Sequence, residues 1–188
     1  MTAFLAGASG CSSPATVPGD SPSPSPTAQE PTYERCVLDP ESRAVRRSGG
    51  KPSIRSSVHS PREGDWTDTV WIVASESERD ALAYSTDAVG IDAAEAFVDD
   101  TDLSTRSLLL HQFEPPIGDC SVSRLTRLKL DEGRSAVALQ YDHSPPPGGC
   151  EETDPDYVET TVVRIPPAFQ DGLTAFSWGT ALPGPNSC

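Results

Sequence analysis

Apolar and polar positions alternate along much of this chain with the period of strands. The clearest run places Val122, Leu125, Leu128 and Leu130 before Asp131-Glu132-Gly133, and Val137, Leu139 and Tyr141 after it. The second half alternates strictly, as a half-buried strand does. A hairpin is therefore predicted over residues 121–143. Its first strand has an odd step between Val122 and Leu125, which predicts a bulge. Gly133 is expected to take the left-handed geometry that closes a three-residue loop.

The same pattern gives further elements. Residues 53–59 read as a short strand, and Thr69-Val70-Trp71-Ile72-Val73-Ala74 as a strong one, bulky and β-prone. Ser75 or Ser77 is expected to cap a helix running to about Tyr84, with Glu76, Glu78 and Asp80 in its first turn. A second helix is predicted over 92–99, with Asp92 as cap, Glu95 at the capping-box position, and Ala93, Ala96 and Phe97 on one face. Leu108-Leu109-Leu110, within 105–113, has the length of a buried strand and is ended by Pro115-Pro116. Residues 157–165 form another strand, and 173–178 a last one with Phe176 and Trp178 on its core face. The region from Tyr33 to Pro52 carries few core residues: Cys36, Val37, Leu38 and Val45. Seven strands and two short helices predict a mainly β fold, an antiparallel β sandwich or an open α+β variant of one.

Length and charge narrow the function classes. The chain has 188 residues, enough for one real core once a polar leader is set aside. Asp and Glu total 28 against 14 Lys and Arg, a net charge of −14. Phosphate binding needs a basic face, so nucleic acid is excluded as a partner. Lysine occurs only at Lys51 and Lys129; the other basic residues are arginine. The acid is scattered, as on an acid-coated globule. Arg43, Arg46 and Arg47 form the one basic cluster, expected to balance neighbouring acid rather than to hold an anionic ligand.

The N-terminal residues 1–11 end in Ala8-Ser9-Gly10-Cys11, small residues directly before a cysteine. This resembles a lipobox, and it makes Cys11 the predicted lipidation site. The basic n-region of a signal peptide is missing and the apolar segment is short; a translation start further upstream would account for both. Residues 12–31 are rich in Ser and Pro, including Ser21-Pro22-Ser23-Pro24-Ser25-Pro26. Such a segment is expected to stay disordered and extended, and to reach roughly 60 Å as a tether. The folded domain is then 32–188. This layout predicts a protein held to the outer face of the cytoplasmic membrane by its lipid, with no run apolar and long enough for a transmembrane helix.

Four cysteines remain, and an even number in an exported domain predicts two disulfides. The hairpin brings Cys120 and Cys150 together, and elimination pairs Cys36 with Cys188. Loop-closure entropy gives these bridges roughly 3–4 and about 5 kcal/mol. Zinc is disfavoured because no paired Cys/His spacing occurs. Asp99-Asp100-Thr101-Asp102 and Glu151-Glu152-Thr153-Asp154-Pro155-Asp156 lack the ligand spacing of a calcium loop, so no metal is expected.

No nucleophile elbow, zincin helix or phosphate loop is present. His59, His111 and His143 lie on or beside predicted strands and are expected at the surface or at strand edges. No catalytic residue and no cofactor follow from the sequence. The acidic composition resembles that of secreted lipoproteins of extremely halophilic archaea. In addition, Phe97-Val98-Asp99-Asp100-Thr101-Asp102-Leu103-Ser104, then Leu108-Leu109-Leu110, the hairpin, and Val163-Arg164-Ile165-Pro166 resemble in order the extracytoplasmic β domain of PrcB-type protease-associated proteins. That resemblance implies an accessory binding role. The expected function is a lipid-anchored binding or interaction module for an extracellular protein or small molecule; the alternative is a secreted hydrolase.

Overall fold

The computed structural model describes residues 33–59, 68–115, 122–144 and 157–180, all within the unit Thr32–Cys188. These residues form ten strands and two α-helices. One sheet runs β1 (Arg35–Leu38), β7 (Val122–Asp131), β8 (Ala136–Ser144), β10 (Ala175–Thr180); the other runs β2 (Ser42–Ser48), β9 (Tyr157–Ile165), β6 (Ser107–Phe113), β4 (Thr69–Val73). A short pair, β3 (Ile54–Ser56) with β5 (Leu82–Tyr84), stands apart from both. The expected β sandwich is what the chain forms, and every pairing but one is antiparallel. The exception is β10, which lies parallel to β8.

Two faces of one sheet explain the two sequence patterns. Between the sheets, Ile72, Leu109, Phe113, Val163 and Ile165 pack on Leu125, Leu128, Leu130, Val137, Leu139 and Tyr141. On the far face of the β2–β9–β6–β4 sheet, Trp71, Val73, Leu108, Leu110 and Val162 pack on helix α2 (Ile91–Asp99) and on Ile54. The β6 strand is therefore buried at all seven positions, and a strand covered on both sides reads as a continuous apolar run. β7 and β8 are covered on one side only and so alternate.

The hairpin forms with its irregularity one step later than predicted. The register shifts between Leu125 and Arg127, so the extra residue lies between Leu125 and Leu128, and Ser123 shares the inner face with Leu125. The connecting turn is also longer. Asp131 pairs with Ala136, leaving four residues between them, and it is Ser135, at φ 48°, that turns left-handed, not Gly133. The buried Asp131 carboxylate accepts from the Arg134 N–H at 3.0 Å and holds the turn.

Both helices depart from expectation at their ends. Ser75 caps α1 (Glu76–Asp80) in a full capping box with Glu78. The helix stops at Asp80 because Leu82–Tyr84 pairs with β3 and turns Leu82 and Tyr84 toward the α2 core. α2 starts at Ile91, with Gly90 as its N-cap in place of Asp92 and without a side-chain cap. Its buried face is Ile91, Ala94, Phe97 and Val98; Ala93 and Ala96 are exposed. Starting one residue earlier lets Ile91 reach the core. β1 and β2, not foreseen from the sequence, are edge strands and so bury few side chains.

Gly90 fixes how α2 meets the sheet. Its φ is +86°, and a Cβ there would lie 2.8 Å from the Ala44 carbonyl oxygen. The neighbouring Val89 exchanges both backbone hydrogen bonds with Arg46 at 2.8 and 3.0 Å, so the backbone has no room to retreat. Gly90→Ala is expected to cost about 2 kcal/mol or more, read as a lowered urea midpoint at unchanged slope.

Candidate functional site

Some of the side chains that approach one another between the sheets are polar. His111 on β6 is fully buried, although the sequence suggested a surface or edge position. Its parity on the strand decides this: it shares a face with Leu109 and Phe113. His111 Nδ1 lies 2.8 Å from Tyr141 Oη, and Nε2 lies 3.1 Å from Asp68 Oδ1. With Asp68 ionised, Nε2–H donates to the carboxylate and Nδ1 accepts from the tyrosine O–H. Tyr141 in turn accepts from Thr161. Every proton in this chain of bonds points toward Asp68, whose side chain is half exposed. The rings of Phe113, Phe176 and Trp178 close around the imidazole at centroid distances of 4.7, 5.0 and 5.3 Å. Burial outweighs the attraction of Asp68 and drives the His111 pKa down to about 4; burial likewise pushes Tyr141 up. A neutral imidazole sealed from solvent joins the two sheets but cannot meet a substrate.

The other two histidines lie outside this cluster. His143 Nδ1 is 3.3 Å from Ser123 Oγ at the end of the hairpin. His59 Nε2 is 3.3 Å from Glu78 Oε1. Burial raises the Glu78 carboxyl, but bonds from the Ala74 N–H, Ser75 and His59 pull it below its ordinary value.

This pair stands in a cleft of about 430 Å³. One wall is Val70, Trp71 and Ile72; the other is the stretch Gln170, Asp171, Gly172, Leu173, Thr174, Ala175 and Phe176. Side chains alternate between the two faces of a strand, so three consecutive residues reach one cleft only if it follows the strand's edge. The groove therefore runs along the outer edge of β4, on the side where β10 is also the last strand of its sheet.

The arginine cluster is spent on structure, as its neighbours in sequence suggested. Alternation sends its members to opposite faces of β2. Arg46 points between the sheets, 2.5 Å from buried Glu159 and 4.1 Å above the Tyr157 ring. Arg47 grips Asp87 with two nitrogens, at 2.9 and 3.1 Å, and holds that carboxyl below its usual range. Arg43 stands 5.0 Å over Phe97. Arg164 covers the same ring at 4.1 Å and donates to the Phe97 carbonyl, to Thr101 Oγ1 and to Glu41. It thereby clamps the C-terminal turn of α2, where a cation suits the helix dipole. Asp99 and Asp100 are exposed, and no group of acid, His and Cys side chains suited to a metal occurs among the described residues.

Of the predicted site residues, Cys11, Cys120, Cys150 and Cys188 lie outside the described residues. Cys36 lies on β1 opposite Lys129 and is disulfide-bonded. Sequence reasoning missed Asp68, Glu78, Tyr141 and Glu159. Two of these had a visible signal: Glu78 stands three residues after Ser75, and Tyr141 has the parity of Val137 and Leu139. Asp68 had none, because its partner is 43 residues away.

Fold and groove together define a β sandwich with a groove along its β4 edge and a helical layer on one face. No protein-family model, curated protein or solved structure matches the chain.

Proposed function

We propose that this chain is a lipid-anchored cell-surface domain that binds or docks a partner at the outer face of the cytoplasmic membrane. The observation that supports binding is the groove along β4, a strongly β-prone strand whose outer edge pairs with no other strand among the described residues. Anchoring rests on Ala8-Ser9-Gly10-Cys11 and on the Ser/Pro-rich tract that follows. The disulfide at Cys36 agrees with an oxidising compartment; in this reading Cys36 pairs with Cys188, and Cys120 with Cys150.

Two measurements test the reading. Intact mass of protein taken from its native membrane should give a chain beginning at lipidated Cys11 that gains four hydrogens on reduction. A chain that keeps Met1 and carries no lipid overturns the anchor. A photo-cross-linker at Asp171, in the groove, should capture a partner on intact cells, while one at Arg124, on the opposite sheet, should not. Absence of any cross-link from either position overturns the binding role.

One observation favours a hydrolase instead: the His59–Glu78 pair lines the groove. His59→Ala would then abolish turnover of ester or peptide substrates, whereas a binding domain shows no turnover for the substitution to remove.

A further inference from the structure

The four sheet edges of the sandwich are not alike. β2 carries three arginines, β1 is four residues long and holds a bonded cysteine, and β10 contains Gly179. Each is protected as edges commonly are, by charge, brevity or a weak strand former. β4 reads Thr69-Val70-Trp71-Ile72-Val73, with no charge, proline or glycine. It pairs without irregularity along its whole length with β6. Among the described residues, no backbone group of β4 bonds to any main chain other than that of β6. A strand of this kind, uncharged and, among the described residues, unpaired along one side, is a template for another strand.

The groove beside it also has a charge. Its ionisable lining residues are His59, Glu78 and Asp171; lysine and arginine are absent from the described lining. Asp171 is exposed and lies in the turn that follows the 3-10 helix Pro167–Phe169. Five strand residues at about 3.4 Å each give a template of roughly 17 Å.

Building on the binding role proposed above, we infer that the β4 edge captures an extended, basic peptide segment of a partner protein by adding it as a fifth strand to the β2–β9–β6–β4 sheet. Main-chain hydrogen bonds to β4 supply the affinity. Alternate side chains of the peptide enter the groove beside Val70, Ile72 and Phe176, and its lysines or arginines meet Glu78 and Asp171.

The test uses the full chain and acetylated, amidated hexapeptides of alternating lysine and valine. Amide NMR shifts of the protein locate binding, and titration gives affinity. The lysine–valine peptide should move resonances of Val70–Ile72 and of 171–176. N-methylation of alternate peptide nitrogens, which removes strand donors but keeps charge and side chains, should weaken binding at least tenfold. Replacing lysine by glutamate should abolish it, and Asp171→Lys should weaken it at least threefold.

Equal binding of the methylated peptide overturns strand addition. Shifts spread over the acidic surface, or no binding by the lysine and glutamate peptides alike, overturn the inference as well. Dimers that pair through β4 without peptide would give the edge to a second copy of the chain. Failure here, with a cell-surface partner still cross-linked at Asp171, would remove the strand mechanism and leave the binding role standing.

Discussion

Acid is expected to destabilise this domain by roughly 3 kcal/mol through His111 alone. Its pKa falls from the ordinary 6.5 to about 4 in the folded state, chiefly because burial opposes the charged ring, with Asp68 offsetting part of the effect. Between those two values the unfolded chain takes up a proton that the folded chain refuses. Stability from this group is therefore complete above 6.5, falls as the pH drops toward 4, and changes no further below that. Urea unfolding at a series of pH values measures the effect. Carboxylates titrate over part of the same window, so the comparison is with His111→Gln, whose amide can still donate to Asp68 and accept from Tyr141. The variant should lose most of the slope between 6.5 and 4. Equal slopes in the two proteins would show that His111 is not the titrating group.

Arg46→Met is expected to cost about 3–5 kcal/mol, the range for stripping a buried ion of its partner. The methionine keeps the aliphatic stem but removes the guanidinium, which stands 2.5 Å from Glu159 and 4.1 Å over the Tyr157 ring. Glu159 is 3% exposed, and the Ser123 N–H is 3.5 Å away, a poor substitute. The double variant Arg46→Met, Glu159→Leu should recover most of the loss, because two apolar groups leave no buried charge. Thermal or urea unfolding of the single and double variants gives the coupling. If the single substitution costs under 1 kcal/mol, Glu159 has another counter-charge or reaches water.

Much of the sandwich was legible from local pattern. The strict alternation of Val137, Leu139 and Tyr141, and the unbroken Leu108-Leu109-Leu110, report how many faces each strand buries, and burial is what the two sheets enforce. β1 and β2 were not legible for the same reason. As edge strands they contribute Val37 and Val45 to the core and little else, and their pairing with β7 and β9 is specified by those partners. The misplaced bulge shows the limit of reading one strand alone. Val122, Leu125 and Leu128 are evenly spaced by three, and only the register with β8 fixes which step holds the extra residue.

Charge was legible in type but not in place. The reading of the cluster as partners of acid holds for Arg46 and Arg47, whereas Arg43 donates to the Ser42 carbonyl and stands over Phe97; the acids are Glu159, 113 residues from Arg46, and Asp87, 40 from Arg47. The groove was invisible for a related reason. Nothing in Thr69–Val73 says that the strand has one neighbour rather than two; that follows from where β6 and β9 lie.

The parallel docking of β10 has a kinetic consequence. Phe176 and Trp178 are the part of the aromatic enclosure around His111 that belongs to a strand at the end of its sheet, paired among the described residues with β8 alone. Edge strands detach more readily than central ones, in openings smaller than global unfolding. Such an opening gives a proton a route to His111 Nδ1, so the speed of acid unfolding is expected to follow how often β10 lets go. Hydrogen–deuterium exchange at the imidazole C2 carbon would run on the same clock. The sandwich thus has an equilibrium sensitivity to pH written into β6 and a separate timer written into β10.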